Sequence, residues 1–353
     1  MVFREIDPPQ IYDLEPRILV DVRSPAEFEE FHVPGAVNLP LFENDEKELI
    51  GYVYRNRGEE DAKKLGERIA RSKLTALFEK LSALKERYRN VVVYCWRGGM
   101  RSTRLCEVMA QMGLNLYRLR GGYRAYRRFI LADMERILKG TRMIVLTGKT
   151  GVGKTALIRR LREEGIPAID LEGLAGDRGS VFGGVGGKRQ VSQKMFDSLL
   201  YEDLRDLGGG VIFVEDESRR VGRIQIPDPF WRRKCEGLYV EIKASLEKRV
   251  RNILEEYTAS PGWQEEVLKA LPKIAKYLGP RRYSLLKDLI ERGEAEEAIR
   301  LLIEEYYDRK YRRFGEPVAT ISADDPQECL RSLRELYNYC VNEGKVPDPH
   351  LQR

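Results

Sequence analysis

The segment GKTGVGKT, residues 148–155, restricts the possible folds of this chain more than any other segment. It follows the apolar run MIVLT, which reads as a buried strand, and it precedes ALIRRLREEG, whose spacing is typical of a helix. A glycine loop between a strand and a helix, ending in Lys-Thr, is the pattern of a phosphate-binding loop. In such a loop backbone N–H groups surround the phosphates, a lysine neutralises their charge and a threonine ligates Mg²⁺. The predicted contacts are Gly148, Gly151, Gly153, Lys154 and Thr155, with Thr155 as the Mg²⁺ ligand.

A second buried strand, VIFVEDES at 211–218, ends in acidic residues and belongs to the same predicted unit. Its carboxylates Glu215 and Asp216 are predicted to lie near the metal ion. The alternative is a glycine-rich turn that matches the motif by coincidence. The pattern does not say whether the bound phosphate belongs to a nucleotide.

A cysteine stands at another strand–loop–helix junction, in YCWRGGMRST at 94–103. The preceding VVV predicts a strand, and STRLCEVMAQMG predicts a helix that ends at a glycine. Inward-pointing N–H groups and a helix N-terminus stabilise a thiolate and hold an anion beside it. The alternative is a buried cysteine with a purely structural role. The predicted reactive site comprises Cys95 as the nucleophile, Gly98 and Gly99 for a tight curl, Arg101 as an oxyanion clamp and Trp96 as a shield from water.

Composition excludes several classes of protein. No apolar run approaches the roughly 18 residues of a membrane span, and MVFREIDPPQ lacks the apolar stretch of a signal peptide. The five cysteines include no CxxC pair, which argues against a disulfide framework and a structural zinc site. With His32 and His350 as the only histidines, histidine-rich metal chemistry is nearly excluded. We therefore expect a reduced, cytoplasmic protein that has no membrane segment.

Strands alternate with helices through the first two thirds of the chain, which predicts the α/β class with parallel sheets. From about residue 241 onward the pattern becomes helical and charged. We predict three regions: a parallel-sheet domain at 1–139, a P-loop NTPase-like α/β domain at 140–245, and a mainly helical, basic C-terminal region at 246–353.

The first region resembles the rhodanese superfamily over about residues 15–130, in LVDVRSPAEFEEFHVPGAVNLP, YCWRGGMRS and LRGGYRAY. The resemblance implies a rhodanese-like fold and a persulfide carried on Cys95. In one departure, five residues separate Cys95 from Arg101, where the common sulfurtransferase loop has four. The wider cradle is similar to that of the related cell-cycle phosphatases and suits phosphate or a selenium species better than a lone sulfur.

Other functional classes therefore remain open. A cysteine phosphatase fits the five-residue spacing, although no obvious general acid flanks the loop. A phosphate-loop kinase or NTPase fused to a rhodanese-type sulfurtransferase, or to a rhodanese unit used only for binding, is a further alternative.

Over nearly its whole length the chain resembles the tRNA 2-selenouridine synthase family. The supporting stretches are CWRGGMRS, GGYRAYR, GKTGVGKT, DLEGLAGDRGSVFG and VEDESRRVGRIQIP. NDEKELIGYVYRNRGEEDAKKLG also matches a rhodanese insertion that is typical of the family. Two residues depart from the pattern: Asp177 replaces a histidine and Val191 replaces a proline. The first departure weakens a catalytic role for side chain 177.

The resemblance implies a selenotransferase that acts on wobble 2-thiouridine in tRNA. It implies that a geranyl group from geranyl diphosphate first alkylates the sulfur, and that selenium from selenophosphate then replaces the geranylated sulfur. Cys95 would accept or orient the selenium, and the phosphate loop would seat geranyl diphosphate. Selenophosphate synthetase is the partner expected to supply the selenium donor.

A tRNA substrate requires a basic surface, and two segments offer one. Arginines alternate with Tyr117, Tyr123 and Tyr126 in LYRLRGGYRAYRRFI, and with aromatic residues in DRKYRRF. Arginines with aromatic side chains suit phosphate contacts and stacking on unpaired bases. The alternative is an ordinary solvated helix face. The predicted tRNA contacts are Arg118, Arg120, Arg124, Arg127, Arg128, Arg309, Arg312 and Arg313.

Overall fold

The computed structural model describes residues 3–185, 190–258, 262–312 and 314–343. Contacts divide the chain into two compact units. The first unit comprises Met1–Asp133 with Asp197–Tyr201, and the second comprises Met134–Phe196 with Glu202–Arg353. In the described part of the chain, no helix has the length and apolar character of a membrane span.

The N-terminal part of the chain forms a five-stranded, all-parallel sheet in the order β1-β5-β4-β2-β3. A short 3-10 helix, Pro8–Asp13, follows the first strand. The strands are β1 (Arg4–Ile6), β2 (Arg17–Asp21), β3 (Val37–Asn38), β4 (Asn90–Tyr94) and β5 (Tyr117–Leu119). The helices are α1 (Pro25–Glu30), α2 (Asn44–Arg57), α3 (Glu59–Arg87), α4 (Met100–Gln111) and α5 (Gly122–Lys139).

The position of β4 in this sheet determines where the cysteine loop emerges. All five residues of β4 are buried, as expected for a central parallel strand that is covered on both faces. Val91 and Val93 pack with Leu81 of α3 and with Leu105 and Met109 of α4. Ser24 is the N-cap residue of α1, and its side chain forms a reciprocal capping box with Glu27. The loop after β4 therefore lies at the carboxyl edge of a rigid sheet.

The second unit is built on another five-stranded, all-parallel sheet, in the order β12-β11-β6-β8-β7. Its strands, together with a two-stranded hairpin of β9 and β10, are β6 (Thr141–Thr147), β7 (Ala168–Ile169), β8 (Gly210–Glu215), β9 (Arg220–Val221), β10 (Ile224–Gln225), β11 (Leu238–Lys243) and β12 (Ala319–Ser322). The helices are α6 (Lys154–Glu163), α7 (Leu171–Ala175), α8 (Gln193–Asp206), α9 (Asp228–Cys235), α10 (Leu246–Thr258), α11 (Trp263–Ala270), α12 (Ala275–Arg292), α13 (Ala295–Leu302), α14 (Asp308–Lys310) and α15 (Pro326–Glu343). A 3-10 helix, Leu271–Ile274, and a π-helical turn, Ile303–Tyr307, join some of these helices.

The predicted α/β class with a mainly helical C-terminal region is confirmed, and this region also contributes one strand to the phosphate-loop sheet. β12 pairs in parallel with β11, so this late segment completes the same sheet. Helices α11 to α13 enclose a further apolar core that includes Leu271, Ile274 and Leu286. The sequence did not reveal this arrangement because β12 is short and only partly buried.

Candidate functional sites

Cys95 lies directly after β4 and is almost enclosed by the loop that follows. Its side chain is 3% exposed, and its Sγ lies 3.2 Å from Ser102 Oγ and 3.9 Å from the Gly99 carbonyl oxygen. Ser102 is itself buried in the first turn of α4. A hydroxyl at that distance can donate a hydrogen bond to sulfur and stabilise negative charge there. The sequence analysis missed Ser102, although its place in GGMRST was visible.

The cysteine loop is tightly curled against the first turn of α5. Gly98 has φ 64°, and a Cβ there would lie 2.7 Å from the backbone nitrogen of Gly121. Gly99 differs, because its φ is −89° and a Cβ would meet no atom within 4 Å. The carbonyl of Cys95 accepts a hydrogen bond from the Tyr123 N–H at 2.9 Å. The close approach therefore requires glycine at position 98 but not at position 99.

Arg101, the predicted oxyanion clamp, is held by a carboxylate. Its Nη1 donates to Glu27 Oε2 at 2.8 Å and its Nη2 donates to Glu27 Oε1 at 3.4 Å. Burial alone would raise the pKa of Glu27, but the hydrogen bond and charge of Arg101 outweigh it and lower the pKa to about 2. Trp96 lies half-buried beside the loop, with its ring stacked on Tyr123 at 5.9 Å between centroids.

Three glycines of the phosphate loop adopt backbone conformations that favour glycine. Their φ angles are 151° at Gly148, 85° at Gly151 and 90° at Gly153. Lys154 curls over the loop, so that its Nζ donates to the Gly148 carbonyl at 2.9 Å. The ammonium group is therefore placed over the concave side of the loop, where a bound phosphate would meet it.

Helix α10 braces the loop from outside. Arg249 Nε donates to the Thr150 carbonyl at 2.8 Å, and Asn252 Nδ2 donates to the Gly151 carbonyl at 2.8 Å. The Asp308 carboxylate forms ion pairs with Arg249, at 2.6 Å, and with Lys149 of the loop, at 2.9 Å. These contacts hold the Thr150 and Gly151 carbonyl groups of the loop in place. The sequence analysis missed Arg249, Asn252 and Asp308 because they lie about a hundred residues or more from the loop.

Carboxylates surround Thr155 on the sheet side of the loop. Thr155 Oγ1 donates to Glu172 Oε2 at 3.0 Å. Glu215 at the end of β8 is fully buried, and its two carboxylate oxygens accept no hydrogen bond from the described residues. Burial and the nearby charges of Asp170 and Glu217 raise the pKa of Glu215 to about 8. Burial and the charges of Glu215 and Glu217 raise the pKa of Glu172 to about 10.

A buried carboxylate that lacks hydrogen-bond donors fits a bound divalent cation. The residues are thus compatible with the predicted Mg²⁺, which Thr155 and Glu215 would hold and which would neutralise phosphate charge. Residues 3–185, 190–258, 262–312 and 314–343 contain no group of three or more histidines, cysteines or carboxylates arranged as a metal site. Phosphate oxygens and waters would therefore supply most of the ligands, as is usual for Mg²⁺.

Asp216, predicted beside the metal, faces away from the loop. Its Oδ1 lies 2.7 Å from Nζ of Lys234, and the two side chains are 4% and 0% exposed. Lys234 also donates to the Glu217 carbonyl at 2.7 Å, and its Nζ lies 4.4 Å from the centroid of the Trp231 ring. Consecutive residues at a strand end point to opposite faces, so Glu215 and Asp216 cannot both reach the metal. The prediction that Asp216 lies near the metal ion is therefore wrong.

A cavity of about 700 Å³ opens from the phosphate loop into the helical part of the second unit. Beyond the loop its walls differ in character. Helix α10 contributes the charged side chains of Lys248, Glu255 and Glu256 beside Tyr257. Helices α11 to α13 contribute apolar and aromatic side chains, which include Trp263, Val267, Ile290, Ala298, Ile299 and Leu302. Such a cavity arises from the packing of distant helices and leaves no local signal in the sequence.

The predicted tRNA contacts separate into paired and exposed arginines. Arg118 is only 12% exposed in its side chain and donates to the Gly98 carbonyl, to Thr103 Oγ1 and to Glu5. Arg120 pairs with Asp7 at 3.0 Å, Arg127 with Asp197 at 2.7 Å and Arg309 with Glu305 at 2.6 Å. Arg124, Arg128 and Arg312 are exposed and form no ion pair within the described residues. Arg313 lies outside the described residues.

Two of the tyrosines interleaved with these arginines are not available for stacking on bases. Tyr123 and Tyr126 are fully buried, and their rings lie 5.8 Å apart between centroids. Stacking of bases on these two rings, which the sequence analysis predicted, is therefore wrong. An amphipathic helix with tyrosines on its inner face gives the same sequence pattern as an RNA-binding helix.

The fold and the two loops define a protein that joins a rhodanese-type cysteine unit to a phosphate-loop α/β unit. Residues 10–129 match the family described as the rhodanese-like domain, and residues 141–336 match the family described as the tRNA 2-selenouridine synthase AAA domain. The chain belongs to the tRNA 2-selenouridine synthase family.

Relatives that carry the name tRNA 2-selenouridine synthase align over most of their length. The protein from Sulfurovum sp. (strain NBC37-1) is 32% identical and covers 83% of this chain and 87% of its own. The protein from Hydrogenovibrio crunogenus is 33% identical, over 83% of this chain and 88% of its own. The protein from Chromohalobacter salexigens is 33% identical, over 90% of this chain and 94% of its own.

Proposed function

We propose that this protein replaces the sulfur of wobble 2-thiouridine in tRNA with selenium from selenophosphate, through an S-geranylated intermediate made from geranyl diphosphate. The family and its named relatives support synthesis of 2-selenouridine. The observation that supports the geranyl step is the cavity at the phosphate loop, because the walls that helices α11 to α13 contribute to it are apolar. A diphosphate that carries a hydrocarbon matches this combination of charge and apolar surface.

In the first half-reaction the sulfur of 2-thiouridine attacks the allylic carbon of geranyl diphosphate. A carbon–sulfur bond forms, the carbon–oxygen bond to the diphosphate breaks, and the N3 proton of the uracil ring passes to the departing diphosphate. Lys154 and the loop N–H groups stabilise the charge that develops on the leaving diphosphate. Mg²⁺, when bound at Thr155 and Glu215, supplies further positive charge to that group.

In the second half-reaction the selenium of selenophosphate attacks C2 of the S-geranylated uracil ring, so that a carbon–selenium bond forms and the carbon–sulfur bond breaks as geranyl thiolate leaves. Water then attacks phosphorus, the selenium–phosphorus bond breaks, and phosphate is released from the 2-selenouridine. Alkylation is required because it converts a poor leaving group into a better one. Cys95 orients the selenium donor, and the Ser102 hydroxyl at 3.2 Å can donate a hydrogen bond to the cysteine sulfur. Arg101 retains further N–H donors for an anion beside the loop while Glu27 holds it in place.

The proposed reaction also requires a protein surface that binds tRNA and a supply of the selenium donor. Arg124, Arg128 and Arg312 are exposed and supply phosphate contacts, whereas the carboxylate-paired arginines hold the protein's own loops and helices. We place the reaction in the cytoplasm, with selenophosphate synthetase as the partner that supplies selenophosphate.

The test is mass spectrometry of nucleosides after reaction of purified protein with 2-thiouridine-containing tRNA. With geranyl diphosphate alone, S-geranyl-2-thiouridine should accumulate; addition of selenophosphate should convert it to 2-selenouridine. Formation of 2-selenouridine without geranyl diphosphate would eliminate the geranyl step. Release of phosphate from an aryl phosphate ester by Cys95 would support a phosphatase instead. Nucleotide turnover that is insensitive to Cys95→Ser would support an NTPase.

A further inference from the structure

The cavity beside the phosphate loop is larger than a diphosphate requires. Its volume of about 700 Å³ lies in the range of pockets that enclose whole small molecules. Residues 150–155 form one end, and the walls beyond them come from the helical part of the second unit. The charged end and the apolar walls therefore belong to one continuous space.

We propose that this cavity binds the hydrocarbon chain of an allylic diphosphate and that Ala298 of α13 sets the length of the chain it accepts. This inference rests on the proposed function, because that function supplies the allylic diphosphate. It goes further by assigning the hydrocarbon to a defined set of walls and by naming a residue that determines chain-length specificity.

Four polar side chains of the cavity wall already have protein partners, and the walls from α11 to α13 are apolar, which favours a hydrocarbon over a nucleobase there. Tyr257 and Ser180 share a hydrogen bond of 3.1 Å between their hydroxyl oxygens. Arg178 pairs with Glu256 at 2.7 Å and donates to the Val185 carbonyl at 2.5 Å. Asn252 is committed to the Gly151 carbonyl. A base would leave its own polar edges without partners in such surroundings, which is costly, whereas an alkyl chain has none to satisfy.

Helix α13 presents different faces to the two parts of the cavity. Ile299 of α13 and Ile303, just beyond the end of that helix, pack with Val250 of α10. Ala298 and Leu302 belong instead to the core that contains Val267 of α11 and Ile290 of α12. Ala298 is buried and lines the cavity with only a methyl group. A larger side chain at position 298 would therefore reduce the cavity on the side that faces α11 and α12.

The first experiment measures binding by isothermal titration calorimetry on the full chain, without tRNA. The probes are inorganic pyrophosphate and dimethylallyl, geranyl and farnesyl diphosphates. Geranyl diphosphate should bind wild type at least about tenfold more tightly than pyrophosphate, because each buried methylene adds affinity. Equal affinity for these two probes would overturn the assignment of the cavity, even if geranylation of tRNA were observed.

The second experiment makes the cavity smaller in one variant and larger in another. Ala298→Leu should shift the preference from geranyl toward dimethylallyl diphosphate by about tenfold or more. Leu302→Ala should shift it toward farnesyl diphosphate, and pyrophosphate affinity should change in neither variant. A geranyl-to-dimethylallyl ratio within about twofold of wild type in Ala298→Leu would overturn the role of Ala298.

Ala270→Leu is the matched control for overpacking. Ala270 is buried in the same helical core, but it is not among the described residues that line the cavity. It should lower thermal stability as Ala298→Leu does while leaving the chain-length preference at the wild-type ratio. A similar shift of preference in Ala270→Leu would mean that general distortion, and not the cavity wall, determines specificity. The proposed function is judged separately, by tRNA geranylation and selenation in wild type.

Discussion

Ser102 Oγ lies 3.2 Å from Cys95 Sγ, and both side chains are buried where β4 passes into α4. We expect Cys95→Ala to abolish selenation while the fold persists, because no other cysteine lies in this loop. Ser102→Ala should slow selenation by about tenfold, the effect of losing one hydrogen bond to a charged group. Both variants should geranylate tRNA normally. Selenouridine formation by Cys95→Ala at the wild-type rate would contradict the assigned role.

Lys154→Ala should weaken diphosphate binding and impair geranylation, since it removes a fixed charge from the phosphate loop. Supplying S-geranylated tRNA should restore selenation. Lys149→Ala is the matched control, because Lys149 in the same loop is paired with Asp308 and lies on the surface. A failure of geranylated tRNA to rescue Lys154→Ala would show that the loop also serves selenation or tRNA docking.

Lys234→Met should destabilise the second unit by about 3–5 kcal/mol, because it leaves the Asp216 carboxylate buried without its partner. Lys234→Met combined with Asp216→Leu should recover most of that loss. Urea unfolding of the three proteins measures the effect. Arg331→Met, which breaks the exposed pair with Glu328, is the control and should change stability by less than about 1 kcal/mol.

Arg124→Glu combined with Arg128→Glu should weaken tRNA binding and reduce its salt dependence. Each lost phosphate contact lowers the slope of log affinity against log salt by roughly 0.7–0.9. Arg120→Glu should change the slope less, because Arg120 is already paired with Asp7. The measurement is the affinity for tRNA by filter binding across a salt series. An unchanged slope in the double variant would show that these arginines form only an ordinary solvated surface.

The Glu27–Arg101 pair should make the first unit sensitive to acid. The pKa of Glu27 is lowered to about 2 in the folded protein, against an ordinary value of 4.5. Its contribution to stability is therefore complete above about pH 4.5 and is lost as the pH falls toward 2. Glu27→Gln should reduce the loss of melting temperature over that interval. Glu30→Gln, in an exposed position of the same helix, should not.

Motifs that depend on a short stretch of chain were predictable from the sequence. The strand–loop–helix settings of Cys95 and Lys154 follow from a buried strand, glycines and a helical pattern within about twenty residues. Asp216 was misplaced because the acidic run VEDES does not say which carboxylate faces the loop, and the alternation of the strand decides it. Glu172 and Arg249 reach the phosphate loop only through the assembled sheet and helices, so no local pattern identifies them.

The hydrogen bonds of Arg118 couple the reactive loop to the edge of a sheet. Arg118 holds the Gly98 carbonyl with one guanidinium nitrogen and Glu5 of the edge strand β1 with another. Edge strands exchange their amide hydrogens early, since only one neighbour holds them in place. Local opening of β1 should therefore release Arg118 and loosen the turn beneath Cys95 without global unfolding. Hydrogen exchange in β1 and the accessibility of the Cys95 thiol should then report one shared opening equilibrium.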